Sequence, residues 1–278
     1  MHKTLRIALL DMNNNEPNLG MKNLVDLVEN FTQTHANEFL IQIFDVRHLY
    51  EMPSIEDFDI FISSGGPGNP NLSGLPWEKD FTDFLDNLLL HNQSSPLKKH
   101  AFLICHSFQV ALIHWKLAKV IERETYSFGI LPIYLTRFGK KDWLFENLDQ
   151  PFYAVDSRSF QCLQPNFRKM KRLDIKILAI ERFRAHRNLS RALMAIRFSD
   201  EIIGTQFHPE AEAEDVMCKL VDENYKQKLI EKIGLNNYLE TLDRADDEDK
   251  IKKTQAEILP KFLHNAVNCI LQKNDNLL

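Results

Sequence analysis

Short apolar runs alternate along the chain with stretches whose apolar residues recur every three or four positions. The first pattern predicts buried strands, and the second predicts helices that bury one face. RIALLD (6–11) predicts a strand. Residues 18–31 predict a helix, entered just after Pro17, with Leu24, Val25, Leu27, Val28 and Phe31 on one face. FLIQIFDV (39–46), DIFIS (59–63) and HAFLI (100–104) predict three more strands. Residues 77–92 predict a helix carrying Phe81, Phe84, Leu85, Leu88 and Leu89 on one side, and another helix begins over 109–117. Strands and helices alternating at this spacing imply βαβ units. The predicted fold class is α/β: a doubly wound, mostly parallel sheet with helices on both faces. In such sheets ligands sit at the carboxyl ends of the strands.

The middle of the chain changes character. GILPIYLT (129–136) and residues 151–155 and 174–180 predict short strands with no long helices between them, hence a mixed or antiparallel excursion. Residues 193–198 and 202–207 predict a hairpin with Ser199 and Asp200 in the turn, and its second arm runs into His-Pro-Glu. After Glu214 the chain turns polar and helical, with helices predicted over 221–242 and 251–271. The acidic run 243–249 between them predicts a solvated helix end or loop.

Composition narrows the function classes. Hydrophobic residues are 44% and charged residues 26% of the 278, the ordinary globular range. Lys and Arg number 34 against 39 Asp and Glu, a net charge of −5. That is not the basic footprint of a nucleic-acid binder. Cys105, Cys162, Cys218 and Cys269 are widely spaced, which argues against a disulfide framework and against a cysteine-based zinc site. No metal and no cofactor is expected. The apolar run before Asp11 is too short for a signal-peptide core. No stretch approaches the roughly 18 apolar residues of a membrane span. A cytoplasmic protein in a reducing compartment is expected, with no nucleic-acid or membrane partner.

Three segments could carry chemistry. Cys105 stands where the strand HAFLI meets a helix. A nucleophile on such a turn is held exposed above the sheet, with the next backbone N–H aimed at a developing oxyanion. The helix N-terminus favours a thiolate there. His208 and Glu210, two apart in an extended segment, point the same way, so Glu210 could orient His208 as a base toward a thiol. The loop SSGGPGNP (63–70) holds three of the nine glycines, Gly65, Gly66 and Gly68. Glycine there permits close backbone approach to a ligand. Other candidates take plainer readings. His106 is expected to pack or to line the rim, and His114 to be partly buried filler. Trp77, Trp115 and Trp143 read as packing anchors. His186 among Arg182, Arg184 and Arg187 reads as a solvated basic cluster, or as a docking patch for an acidic ligand.

Taken together, LICHSFQ (103–109), TQFHPE (205–210) and SSGGPGNP (63–70) resemble, in chain order, the motifs of the class I glutamine amidotransferases. SFGILPI (127–133) is similar to the strand that follows the nucleophile helix in that family, and Ser157-Arg-Ser-Phe resembles its substrate-contacting turn. The resemblance covers roughly residues 5–212. It implies a flavodoxin-like three-layer fold and a Cys-His-Glu triad of Cys105, His208 and Glu210. It further implies an oxyanion hole from the N–H groups of Gly66 and His106, and glutamine contacts from Gly68, Gln109, Ser159 and Phe160. The chain departs from the family pattern at Leu103 and Ser107, where glycine is usual, and at Arg158, where the turn often carries histidine.

The implied activity is hydrolysis of the glutamine side-chain amide through a γ-glutamyl thioester, with ammonia passed to a separate synthetase or acceptor subunit. The expected ligand is glutamine or another γ-glutamyl compound. A stand-alone γ-glutamyl hydrolase acting on amides or peptides, and a non-catalytic binding protein on the same scaffold, remain as alternatives. Residues 1–213 are expected to form the amidotransferase-like domain and 214–278 a C-terminal helical extension.

Overall fold

A computed structural model describes residues 4–16, 18–182, 191–247 and 249–275. The chain runs β1 (Leu5–Asp11), α1 (Leu19–Gln33), β2 (Phe39–Asp45), β3 (Ile60–Ser63), α2 (Pro76–Ser94), β4 (His100–Ile104), α3 (His106–His114) and β5 (Lys119–Leu135). It continues β6 (Phe152–Leu163), α4 (Phe167–Arg172), β7 (Lys176–Ile180), β8 (Leu193–Arg197), β9 (Ile202–Thr205), α5 (Ala213–Val221), α6 (Glu223–Ile233), α7 (Leu235–Asp246) and α8 (Asp249–Asp275).

These strands form one nine-stranded sheet in the order β2-β1-β3-β4-β9-β8-β7-β5-β6. From β2 to β9 the pairings are parallel. From β9 to β6 they are antiparallel. The sheet is therefore mixed, which corrects the expectation of a mostly parallel one. The difference lies in β5 and β6. These are 17 and 12 residues long, not the short strands predicted over 129–136 and 151–155. Residues 119–126 are mostly polar and solvent-facing, with a register shift between Glu122 and Ser127. A half-exposed ribbon lacks the continuous apolar run that marks a buried strand.

Side-chain alternation along the parallel strands supplies two cores. Leu5, Ile7 and Leu9 of β1 face Leu24, Val28 and Phe31 of α1 and Ile258, Leu259, Phe262, Leu263, Ala266 and Val267 of α8. Ala8 and Leu10 face the opposite way, with Phe61, Ala101 and Leu103, onto α2 and α3. The α8 residues recur at the spacing of one helical face. Helices α5, α6 and α7 cover the ribbon instead, packing Val216, Leu220, Leu229, Ile233 and Tyr238 over Phe128, Ile130 and Val155.

The helix predicted over 221–242 is divided. Asp222 caps α6 by accepting from the Tyr225 N–H (2.8 Å). Gly234, at φ +83°, separates α6 from α7. The acidic run falls at the α7–α8 junction, where Asp243 and Asp247 are exposed. No described helix is long and apolar enough to cross a membrane.

Candidate active site

Strands β4 and β9 pair in parallel, Ile104 opposite Thr205, so their carboxyl ends lie side by side. Cys105 follows β4 directly and caps α3 with φ 49° and ψ −95°. A side-chain-bearing residue rarely adopts positive φ, and the surroundings must hold it there. Hydrogen bonds on either side of it do so. The Cys105 N–H donates to Thr205 O (2.7 Å). Ser107 Oγ accepts from the Ile104 N–H (2.9 Å) and lies 3.0 Å from Ser63 O. Leu103 pairs with Gly204 in the sheet, and a Cβ on Gly204 would come within 2.7 Å of the Phe108 ring.

His208 is anchored to the ribbon, its N–H donating to Val155 O at 2.8 Å. Its Nδ1 lies 2.8 Å from Glu210 Oε1, and Cys105 stands close enough to the ring to act on its charge. Burial works against the imidazolium, but Glu210 and Cys105 outweigh it and hold the His208 pKa well above its ordinary value. Glu210 is buried, and its Oε2 has no hydrogen-bond partner among the described residues. Gly65 is what lets the groups meet. A Cβ there would stand 2.8 Å from His208 Cε1 and 3.3 Å from Cys105 Cβ.

The glycine loop is braced from below. A Cβ on Gly66 would lie 2.1 Å from Met12 O. Arg47 Nη1 donates to Met12 O (3.0 Å) and Pro67 O (2.7 Å), with its guanidinium 4.9 Å from the Trp77 ring centre. Ser64 Oγ accepts from the Met12 N–H at 3.0 Å. Gly68 is exposed and sits at φ +90°.

His106 is the first residue of α3, where a helix leaves its N–H groups without intrahelical partners. Its ring is buried beside Trp77, with centroids 6.0 Å apart. Burial, helped by Arg47, lowers its pKa to about 3 and keeps it neutral. The ring packs and does not line a rim. The amide of Gln109 donates to Gln206 Oε1 (2.9 Å) and Phe160 O (3.3 Å). Ser159 is exposed and Phe160 half-buried, both within β6. Segment 157–160 is thus strand and not the expected turn: Ser157 pairs with Phe128, Arg158 with Ser127 and Phe160 with Glu122, and the register shifts at Ser159 between them.

Several residues at this edge escaped sequence reasoning. Gln206 donates from Nε2 to Cys105 Sγ (3.4 Å). The Ser157 carbonyl lies 3.8 Å from the same sulfur, and Tyr126 OH reaches Ser157 Oγ at 2.7 Å. Behind them Asp156, fully buried, accepts from Ser127 Oγ (2.7 Å) and Arg158 Nε (2.9 Å). An Asp and an Arg two apart on a strand share a face, the one signal that could have found this pair.

His114 is not filler. Its Nε2 lies 2.9 Å from Asp86 Oδ2, while Trp115 Nε1 donates to Asp86 Oδ1 (3.0 Å), tying α3 to α2. Trp77, Trp115 and Trp143 pack against the cores. Arg184, His186 and Arg187 lie outside the described residues. Among the described residues no His, Cys, Asp and Glu cluster could hold a metal ion. A cavity of about 120 Å³ opens beside His208 and Glu210, lined also by Ser157, Asn23 and Asp215. A larger groove, about 1000 Å³, runs between α4 and β7 and includes none of the residues above.

No family model and no curated protein sequence matches the chain. Its fold does match solved structures. A glutamine amidotransferase from Thermotoga maritima aligns over 96% of this chain and 99% of its own, at TM-score 0.67 and 16% identity. A glutamine amidotransferase from Methylobacillus flagellatus aligns over 98% and 96%, at 0.64 and 13%. The CTPS glutaminase domain of Trypanosoma brucei, solved with bound acivicin, aligns over 88% and 95%, at 0.56 and 14%. The chain has the α/β fold of the glutamine amidotransferases, built on a mixed sheet.

Proposed function

We propose that this chain is a glutaminase-type amide hydrolase that cleaves the side-chain amide of glutamine and passes the ammonia to a separate synthetase or acceptor subunit. One observation carries the reading. Cys105 and His208 meet at the carboxyl ends of neighbouring strands, with Glu210 on the Nδ1 side of the imidazole. The fold shared with glutamine amidotransferases supports it.

In this reading Cys105 is the nucleophile. His208 holds its proton, and Glu210 keeps the imidazole turned toward the sulfur. The thiolate attacks the amide carbon and a C–S bond forms. The negative oxygen is taken by the N–H groups of Gly66 and His106; one such donor contributes about 3 kcal/mol. His208 gives its proton to the nitrogen, the C–N bond breaks and ammonia leaves. His208 then takes a proton from water as its oxygen attacks the γ-glutamyl thioester. The C–S bond breaks, the thiolate is regenerated beside the protonated His208, and glutamate departs. Gly68, Gln109, Ser159 and Phe160 are the proposed contacts for the rest of the glutamine molecule.

The test is incubation with glutamine and with a panel of γ-glutamyl amides, reading ammonia or amine release and the mass of the Cys105 peptide. The expected result is ammonia from glutamine, a γ-glutamyl adduct on Cys105, and no activity in Cys105→Ala. Release that persists in Cys105→Ala overturns the proposal.

A further inference from the structure

We infer that the side-chain amide of Gln206 is a dedicated hydrogen-bond donor to the Cys105 sulfur, aimed there by Gln109 and Cys162. The inference rests on the reading of Cys105 as a nucleophile. It adds a residue to that site which neither the order of the motifs nor the geometry of the imidazole requires.

The partners of each amide fix its direction. A glutamine amide has one accepting end and one donating end. Gln206 Oε1 is approached by Gln109 Nε2 at 2.9 Å and by Cys162 Sγ at 3.4 Å. The orientation of Gln109 is itself set, since the same Nε2 also faces the Phe160 carbonyl at 3.3 Å, where only a donor fits. Cys162 is fully buried, and burial raises its thiol pKa, so it stays protonated and donates. With two donors on Oε1, the amide of Gln206 can face only one way. Its Nε2 then points at Cys105 Sγ, 3.4 Å away. Reversing it would set N–H against N–H and S–H in a dry interior, leaving buried donors unpaired.

Gln206, Gln109 and Cys162 are all buried, so water cannot stand in for any of them. A hydrogen bond donated to sulfur is stronger when the sulfur is charged, and it therefore favours thiolate over thiol. The sulfur thus faces two groups of different kinds. His208 loses its proton as pH rises, whereas the Gln206 amide is neutral and donates at every pH. Gln206 touches the reacting atom; Gln109 and Cys162 act through it as positioning residues.

The test is the pH profile of Cys105 alkylation by iodoacetamide, followed by mass spectrometry of the Cys105 peptide. Exposed Cys218 serves as the internal reference in the same digest. In Gln206→Met the midpoint for Cys105 is expected to rise by about one pH unit. Alkylation below the midpoint then slows roughly tenfold, while Cys218 is unchanged. Gln109→Met, which leaves Gln206 present but unaimed, is expected to shift the midpoint in the same direction by less. An unchanged Cys105 midpoint in folded Gln206→Met overturns the inference. Should that variant not fold, an unchanged midpoint in Gln109→Met overturns it equally. Alkylation needs no turnover, so the two proposals fail separately. A wild type inert toward glutamine whose midpoint still rises in Gln206→Met overturns the hydrolase reading alone.

Discussion

At Cys105 the backbone takes a conformation that few side-chain-bearing residues adopt. His208 gives this strain a measurable partner. Its pKa is raised well above the ordinary 6.5; burial opposes this, and Glu210 and Cys105 drive it. A raised folded-state pKa contributes stability that is full below the unfolded value and fades as pH climbs through the folded one. Glu210→Gln removes the main opposing charge. The variant is therefore expected to lose about 2 kcal/mol at pH 6, and the deficit should shrink as pH rises past the His208 pKa. Denaturant melts of both proteins across pH check this. That Cys105 and His208 share one edge was readable from the sequence, because each stands just past a predicted strand, HAFLI for Cys105 and residues 202–207 for His208. Gln206 was not. A glutamine before Phe-His-Pro-Glu carries no periodic mark of burial, and its partners, Gln109 and Cys162, are 97 and 44 residues away.

Among the elements, β1, β3 and β4 announced themselves because both their faces are buried, which leaves unbroken apolar runs. The β5–β6 ribbon did not. Its outer stretch is half exposed, and its polar residues hid strand pairing that continues to Leu163. The break at Gly234 was missed for a related reason: apolar spacing on either side of it suits one long helix as well as two short ones. The ribbon also carries a glycine with a specific duty. Gly129 sits at φ +134°, and a Cβ there would meet Thr241 Oγ1 of α7 at 2.3 Å. Gly129→Ala combines a strained backbone with a clash between packed elements. It is expected to cost about 2–4 kcal/mol. In Gly129→Ala/Thr241→Gly the clash is relieved and the strain remains, so only part of the loss should return. Chemical denaturation of the single and double variants measures both shares.

Over the whole molecule, the main core is closed by the last described helix. Phe262 of α8 is buried against Phe102 of β4, with ring centroids 5.2 Å apart. The strand that ends at Cys105 therefore leans on a residue more than 150 positions later. Phe262→Ala is expected to cost about 3–5 kcal/mol through the cavity it leaves, and equilibrium unfolding tests this. The α8 face was visible in the sequence as helical spacing, but not what it covers, since periodicity reports a buried side and never its neighbour. Among the ties between the two halves of the sheet is the bridge from the His208 N–H to Val155 O. Through it the imidazole is seated on the antiparallel flank while the sulfur belongs to the parallel one. The pair therefore works as a gauge of whether both flanks are docked, and any loosening along that seam would part imidazole from sulfur before the chain lost its helices.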